Sequence, residues 1–139
     1  MIRVKPDSLL SAPQGVWVEV WVVFTHPDKT YWWSRFLTPG FGHCYLLMQT
    51  GGRWVILNWG VDALRLAVTH MPTYASLSEF LRPGDTAVRV RAELRERYRA
   101  PWVFGPLTCV EMVKAVLGIR SPWILTPHQL YRRVRVGVV

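Results

Sequence analysis

Gly42-His43-Cys44-Tyr45-Leu46-Leu47-Met48 and Arg53-Trp54-Val55-Ile56-Leu57-Asn58-Trp59 are two apolar, strand-like runs joined through Gln49-Thr50-Gly51-Gly52. Runs of this kind around a Gly-rich connection read as an antiparallel hairpin. Its register decides which side chains share a face, because side chains alternate along a strand and a slip of one residue exchanges the faces. A four-residue loop puts Asn58 directly opposite His43, whereas a two-residue turn at Gly51-Gly52 makes Asn58 its diagonal neighbour on the same face. A three-residue loop would bring Trp59 to that face instead. Cys44 follows His43 in the strand and therefore points the other way.

Upstream, Val16 to Phe24 is rich in β-branched and aromatic residues and lies between Pro13-Gln14-Gly15 and Thr25-His26-Pro27-Asp28, which predicts a strand. Tyr31 to Leu37 is short and aromatic and stops at Thr38-Pro39-Gly40, so it reads as a helical turn or a loop that caps the core. Downstream, Leu64 to His70 reads as a strand, Ser76 to Leu81 as a short helix, and Thr86 to Val90 as a strand running into the basic stretch Arg89 to Arg99. After loop chemistry from Pro101 to Leu107, Thr108-Cys109-Val110-Glu111 has the form of a capping box, with Gly118 placed to end the helix. Thr108 is then the N-cap and Cys109 the first helical residue. Val110, Val113 and Leu117 recur at helical spacing, and Met112, Ala115 and Val116 widen the apolar face until the helix is nearly buried. Glu111 and Lys114 are its only charges. A second helix is expected from Thr126, with Pro127 at its first position and Gln129 closing another capping box. It carries Tyr131, Arg132 and Arg133 and gives way to a β-like tail, Val134 to Val139.

The whole chain, 139 residues, suits one domain, and a composition half apolar and 19% charged excludes a disordered, collagen-like or coiled-coil protein. No apolar block is long enough for a signal peptide or a membrane span, so a soluble chain made in the cytoplasm, without a transmembrane segment, is expected. Cys44 and Cys109 are too few for a disulfide framework and lack metal-binding spacing, so neither metal nor cofactor is expected. A reduced compartment follows by default, with one bridge left open. Eight tryptophans are expected mostly in the core, with a minority lining a groove.

A thiol at the start of a helix is where it becomes reactive, because unpaired backbone N–H groups and the positive end of the helix dipole stabilise the thiolate. A nucleophilic Cys also needs a base, and the base a third group that fixes its tautomer. Cys109, His43 and Asn58 fill those three positions. Taken singly, each has a plainer reading: a packed free Cys, a satisfied core or edge histidine, and a turn residue before Trp59-Gly60. Their conjunction is what points to chemistry.

Gly42-His43-Cys44-Tyr45-Leu46-Leu47 on a first core strand, followed in the second half of the chain by Thr108-Cys109-Val110-Glu111-Met112-Val113-Lys114 on a helix, resembles the circularly permuted NlpC-type branch of the papain-like fold. The lecithin:retinol acyltransferase-like proteins share that branch and its order, His strand before Cys helix. The resemblance spans about Phe41 to Gly118. It implies an α+β fold, a small antiparallel sheet packed on the Cys-bearing helix, with Cys109 as nucleophile, His43 as base and Asn58 as orienter. Acyltransferase-like members typically carry Asn before the Cys, where this chain has Thr108, a residue that suits the capping role. The implied reaction is thiol-dependent acyl transfer, with the oxyanion at the backbone N–H of Cys109. The implied substrate is a peptide or isopeptide bond of the cell wall, as in NlpC-type peptidases, or a lipid ester.

Charge bears on partners. Seventeen basic residues, fourteen of them Arg, against nine acidic ones give a formal +8. That balance attracts polyanions, including nucleic acid without specificity, or an acidic protein neighbour. Arg89, Arg91, Arg95, Arg97 and Arg99 form either a solvated charged face or a docking surface joined by Arg132, Arg133 and Arg135. A second class of function is a virion component, such as a phage tail or neck subunit with a papain-like fold, in which Arg133 to Val139 adds a strand to a neighbour. Wall-degrading domains are carried on virions, so the two classes are compatible.

Overall fold

The computed structural model describes residues 16–60, 64–72, 74–94 and 108–136. Five strands, β1 (Val16–Thr25), β2 (His43–Thr50), β3 (Arg53–Trp59), β4 (Leu64–Pro72) and β5 (Thr86–Leu94), form one antiparallel sheet in the order β4-β3-β2-β1-β5. Two helices, α1 (Thr108–Leu117) and α2 (Pro127–Val134), follow. The molecule is thus α+β, as the sequence predicts, with the His-bearing strand β2 at the centre of the sheet.

Alternation in the central strands sorts the apolar residues into two layers. Val20, Val22, Phe24, Cys44, Leu46, Val90 and Ala92 face the helices and pack with Cys109, Val110, Val113, Leu130 and Val134. Val23, Leu47 and Trp54 face the other way, beneath the segment from Ala75 to Leu81. Trp54 is the anchor of this second layer: its ring lies 5.1 Å from both Trp21 and Phe80, and its Nε1–H donates to the Ala75 carbonyl at 3.2 Å.

The hairpin register is the one set by a two-residue turn: Thr50 pairs with Arg53 and Leu46 with Leu57. Gly51 and Gly52 stand at φ +58° and +74°, the paired left-handed conformation whose twist matches a tight hairpin. Gly42, just before β2, has a different reason to lack a side chain. A Cβ there would lie 2.0 Å from Pro27 Cα, and its N–H donates to the Thr25 carbonyl at 2.8 Å.

Several expected elements differ in extent. Strands β2, β4 and β5 run to Thr50, Pro72 and Leu94, beyond Met48, His70 and Val90, because ladder pairing continues past the apolar stretches. The segments near Trp32 and Leu77 are 3-10 turns, Trp32–Phe36 and Leu77–Glu79. No residue of the first is buried, so it does not cap the core. Helix α1 includes Thr108 itself, which makes Cys109 its second residue rather than its first. Glu111 accepts from Lys114 Nζ; the capping role given to the Thr108 side chain lies outside what is described. The capping box of α2 forms in full, Thr126 accepting from the Gln129 N–H and Gln129 accepting from the Thr126 N–H. Val134 is the buried last residue of α2 and not the first of a β-like tail, since its side chain joins the helix-side core; residues 137–139 lie outside the described part.

Lys114 is the one buried charged residue of the described core, at 5% exposure. Its ammonium is held by Glu111 and by the Ile124 carbonyl at 3.1 Å, which ties α1 to the loop before α2. Replacing Lys114 with Met removes both bonds and leaves the Glu111 carboxylate unpaired, with an expected loss of about 2–3 kcal/mol in urea unfolding. Gly42→Ala should cost about 1–3 kcal/mol in the same measurement, because the new methyl must displace the Pro27 backbone.

Candidate active site

His43 is the first residue of β2 and pairs with Thr25 of β1; Asn58 is the penultimate residue of β3. The two-residue turn leaves both side chains on one face, and their groups meet at 2.7 Å, His43 Nε2 to Asn58 Oδ1. An amide oxygen only accepts, so Nε2 must carry the proton and donate. That choice fixes the neutral ring in the tautomer whose Nδ1 lone pair is free.

Cys109 comes from the first turn of α1, where backbone N–H groups have no acceptor within the helix. Its thiol interacts electrostatically with two consecutive residues of β2, His43 and Cys44. Since Nε2 is engaged by Asn58, Nδ1 is the His43 nitrogen left for the thiol. Sequence reasoning separates Cys44 from His43 by strand alternation and stops there. The structure agrees on the faces but brings the helix start against Cys44 as well, so Cys44 is a neighbour of Cys109 that strand alternation alone does not reveal. Its signal was available: a residue on the helix-facing side of β2 must meet whatever the helix presents there.

The electrostatics of the three groups are mutually consistent. The hydrogen bond from Cys44 is the largest influence on Cys109 and holds its thiol well below the ordinary range; burial opposes this, and His43 adds a hydrogen bond and its charge. Burial pulls His43 down, but the Cys109 thiolate and the Asn58 oxygen outweigh it and leave the imidazole above its ordinary value. Burial, then the bond to Cys109, pushes the Cys44 thiol up, which keeps it a neutral donor. The two shifts run in the directions that favour a thiolate beside an imidazolium, and the raised Cys44 thiol suits the role of neutral donor.

A cavity of about 540 Å³ opens beside the pair, lined by His43 and Asn58 together with Tyr45, Phe80, Arg82 and Asp85. Cys109 is not part of that lining and is itself 4% exposed, so solvent reaches the base more readily than the sulfur. None of the described tryptophans lines the cavity. The expectation that most are core residues holds only in part: Trp54 is buried and Trp21 and Trp59 pack against the core, while Trp17, Trp32 and Trp123 are 55%, 68% and 82% exposed. Trp32 stands edge-on to Trp33 and Phe36 instead, an exposed aromatic cluster with Arg35 over the Phe36 ring.

The basic stretch lies in part within the described residues. Arg89 and Arg91 share a strand face, as expected, but they lie across from Trp21 and Glu19, with Glu93 on the same face. Arg89 approaches Glu19 at 3.8 Å, both side chains well exposed. This is a charge-balanced solvated face; Arg95, Arg97 and Arg99 lie outside the described residues. Among the described residues no group of three or more His, Cys, Asp or Glu could hold a metal ion, and no helix is long and apolar enough to cross a membrane.

No family model matches the chain, and neither a curated protein nor a solved structure matches it.

The depressed thiol and raised imidazole set a sign for the pH dependence. Alkylation of Cys109 by iodoacetamide should persist on acidification through the ordinary thiol range and fall only at the lower, folded-state midpoint. Unfolding in urea, or His43→Ala in the folded chain, should move that midpoint upward. Equal midpoints in the folded and unfolded chain would contradict the ion pair. Buried Cys44 should label slowly throughout.

Proposed function

We propose that this protein is a thiol-dependent acyl-transfer hydrolase, a peptidase or amidase acting on a peptide-like amide such as those of the cell wall, built on a permuted papain-like arrangement. The observation that carries this reading is the 2.7 Å contact of His43 Nε2 with Asn58 Oδ1 on one face of the hairpin, with the Cys109 thiol interacting with the same imidazole. Three side chains from a hairpin and a distant helix are oriented as nucleophile, base and orienter, in the order in which their chemistry needs them.

In the reaction the Cys109 thiolate attacks the carbonyl carbon and forms the S–C bond, and the carbonyl π electrons move onto oxygen. The backbone N–H of Cys109, in the first turn of α1, is the donor placed for that oxyanion. His43 as imidazolium then gives its Nδ1 proton to the leaving amine, and the tetrahedral species collapses to a thioester. The ring, neutral again and held by Asn58, takes a proton from water as the water attacks the thioester. Collapse expels the thiolate and releases the acid. Asn58 keeps the ring from rotating out of line, and Cys44 stabilises the thiolate between turnovers. The cavity beside His43 accepts the leaving-group side of the substrate, where Tyr45 and Phe80 offer apolar contact and Arg82 and Asp85 offer charge of both signs.

The virion-component reading is favoured by a different observation. Strand β4 is at the edge of the sheet, and Leu64, Leu66 and Val68, alternate residues on one face of it, are 49%, 67% and 65% exposed. An apolar edge of that kind is a surface that assemblies cover. A hydrolase carried as a subunit satisfies both observations.

The test is acyl-enzyme formation. Incubation with small activated esters and with wall-derived peptides should give a covalent adduct on the full chain by intact mass, hydrolysed with time. Cys109→Ala should abolish adduct and turnover, and His43→Ala should lower turnover by about 10²–10⁴-fold. Undiminished turnover in Cys109→Ala would overturn the assignment.

A further inference from the structure

Cys44 and Cys109 are the two cysteines of the sequence. Neither is in a disulfide. They arrive from different elements, the second residue of β2 and the first turn of α1, and meet in one buried cluster, where each thiol shifts the acidity of the other. Acyl transfer needs the sulfur of Cys109 alone. A second thiol in contact with a nucleophilic one is the arrangement in which oxidised sulfur can be resolved within the same chain.

We propose that Cys44 and Cys109 form a redox site, in which a small hydroperoxide oxidises Cys109 and Cys44 closes the product to an intramolecular disulfide. The inference uses the same thiolate as the proposed acyl transfer but does not depend on that transfer, since a chain that hydrolyses nothing would still close the bond.

The atoms and electrons balance in two steps. The Cys109 thiolate attacks one oxygen of the hydroperoxide, forming an S–O bond as the O–O bond breaks. The alkoxide or hydroxide leaves and takes the proton of the neighbouring His43 imidazolium, so sulfur is oxidised by two electrons and the peroxide reduced to an alcohol or water. Cys44 then loses its proton and attacks the sulfenic sulfur. The S–S bond forms, the S–O bond breaks, and hydroxide leaves with that proton as water. The sum is dithiol plus hydroperoxide giving disulfide, alcohol and water. Burial chooses the oxidant: at 4% exposure Cys109 admits a molecule the size of hydrogen peroxide far more readily than a bulky organic peroxide. Cys44, with no exposed surface, is shielded from the oxidant and meets only the sulfenic acid beside it. The bond would join β2 to α1 and remove the nucleophile, and a thiol reductant would restore it.

The test uses the full chain, reduced, exposed to hydrogen peroxide, then denatured and alkylated with N-ethylmaleimide before intact-mass measurement. The expected result is loss of both alkylatable thiols in a monomer lighter by two hydrogens, reversed by dithiothreitol. In Cys44→Ala, dimedone capture of a sulfenic acid at Cys109 should rise several-fold over the natural chain. In Cys109→Ser, Cys44 should remain alkylatable after the same exposure. Retention of both thiols in the natural chain, a sulfinic acid on Cys109 beside an alkylatable Cys44, or a bond between two chains would each overturn the proposal. The measurement on the natural chain decides the matter even if Cys44→Ala fails to fold. Hydrolase activity is not the readout, so failure of either proposal is distinguishable from failure of the other.

Discussion

Gly51 and Gly52 take up the paired positive-φ conformation of a two-residue hairpin turn, and the geometry at the far end of the same hairpin is a consequence of it. With Thr50 held opposite Arg53, the side chains of His43 and Asn58 have no choice of face. A loop one residue longer would exchange Asn58 for Trp59 and leave the imidazole facing an indole, which offers no acceptor. The amide oxygen in turn decides the tautomer of the ring, and the ring decides which nitrogen is left for the thiol. A backbone constraint at one end of two strands thus sets the tautomer of a side chain at the other.

That chain of dependence explains what could be read in the sequence and what could not. The hairpin, the apolar alternation of Val16 to Phe24 and the helical spacing of Val110, Val113 and Leu117 are local patterns, and they give the elements nearly where they stand. Asn58 was accessible because register arithmetic within a hairpin is also local. The proximity of Cys109 to His43 rested on likeness to a fold, because nothing between the two residues encodes their distance. Strand alternation turns Cys44 away from His43, and the helix docks on the face to which it turns. The tryptophans misled for a similar reason. Trp17 and Trp21 lie on a strand face that also carries Glu19 and, across the ladder, Arg89 and Arg91. Residue type alone does not reveal that a face with charged neighbours stays partly open to solvent.

The charge also takes on a narrower meaning. A formal +8 is a property of the whole sequence, yet the part of the basic stretch carried by β5 is matched by glutamates on the same sheet face. Long-range attraction to anions does not require the excess to be gathered there. The apolar face of β4 and the aromatic turn around Trp32 are more distinctive features of the surface than that arginine face.

The groups that lower the pKa of Cys109 are contributed by residues far from it in the chain: the imidazole by the start of β2, with its tautomer fixed by the end of β3, and the second thiol by β2 again. Before the sheet and α1 are joined, the same sulfur is an ordinary thiol with an ordinary acidity. During synthesis, His43, Cys44 and Asn58 emerge first and wait for a helix that ends only at Leu117. The lowered pKa of the Cys109 thiol therefore arrives with the tertiary structure, as a property of the folded molecule that no segment of it possesses alone.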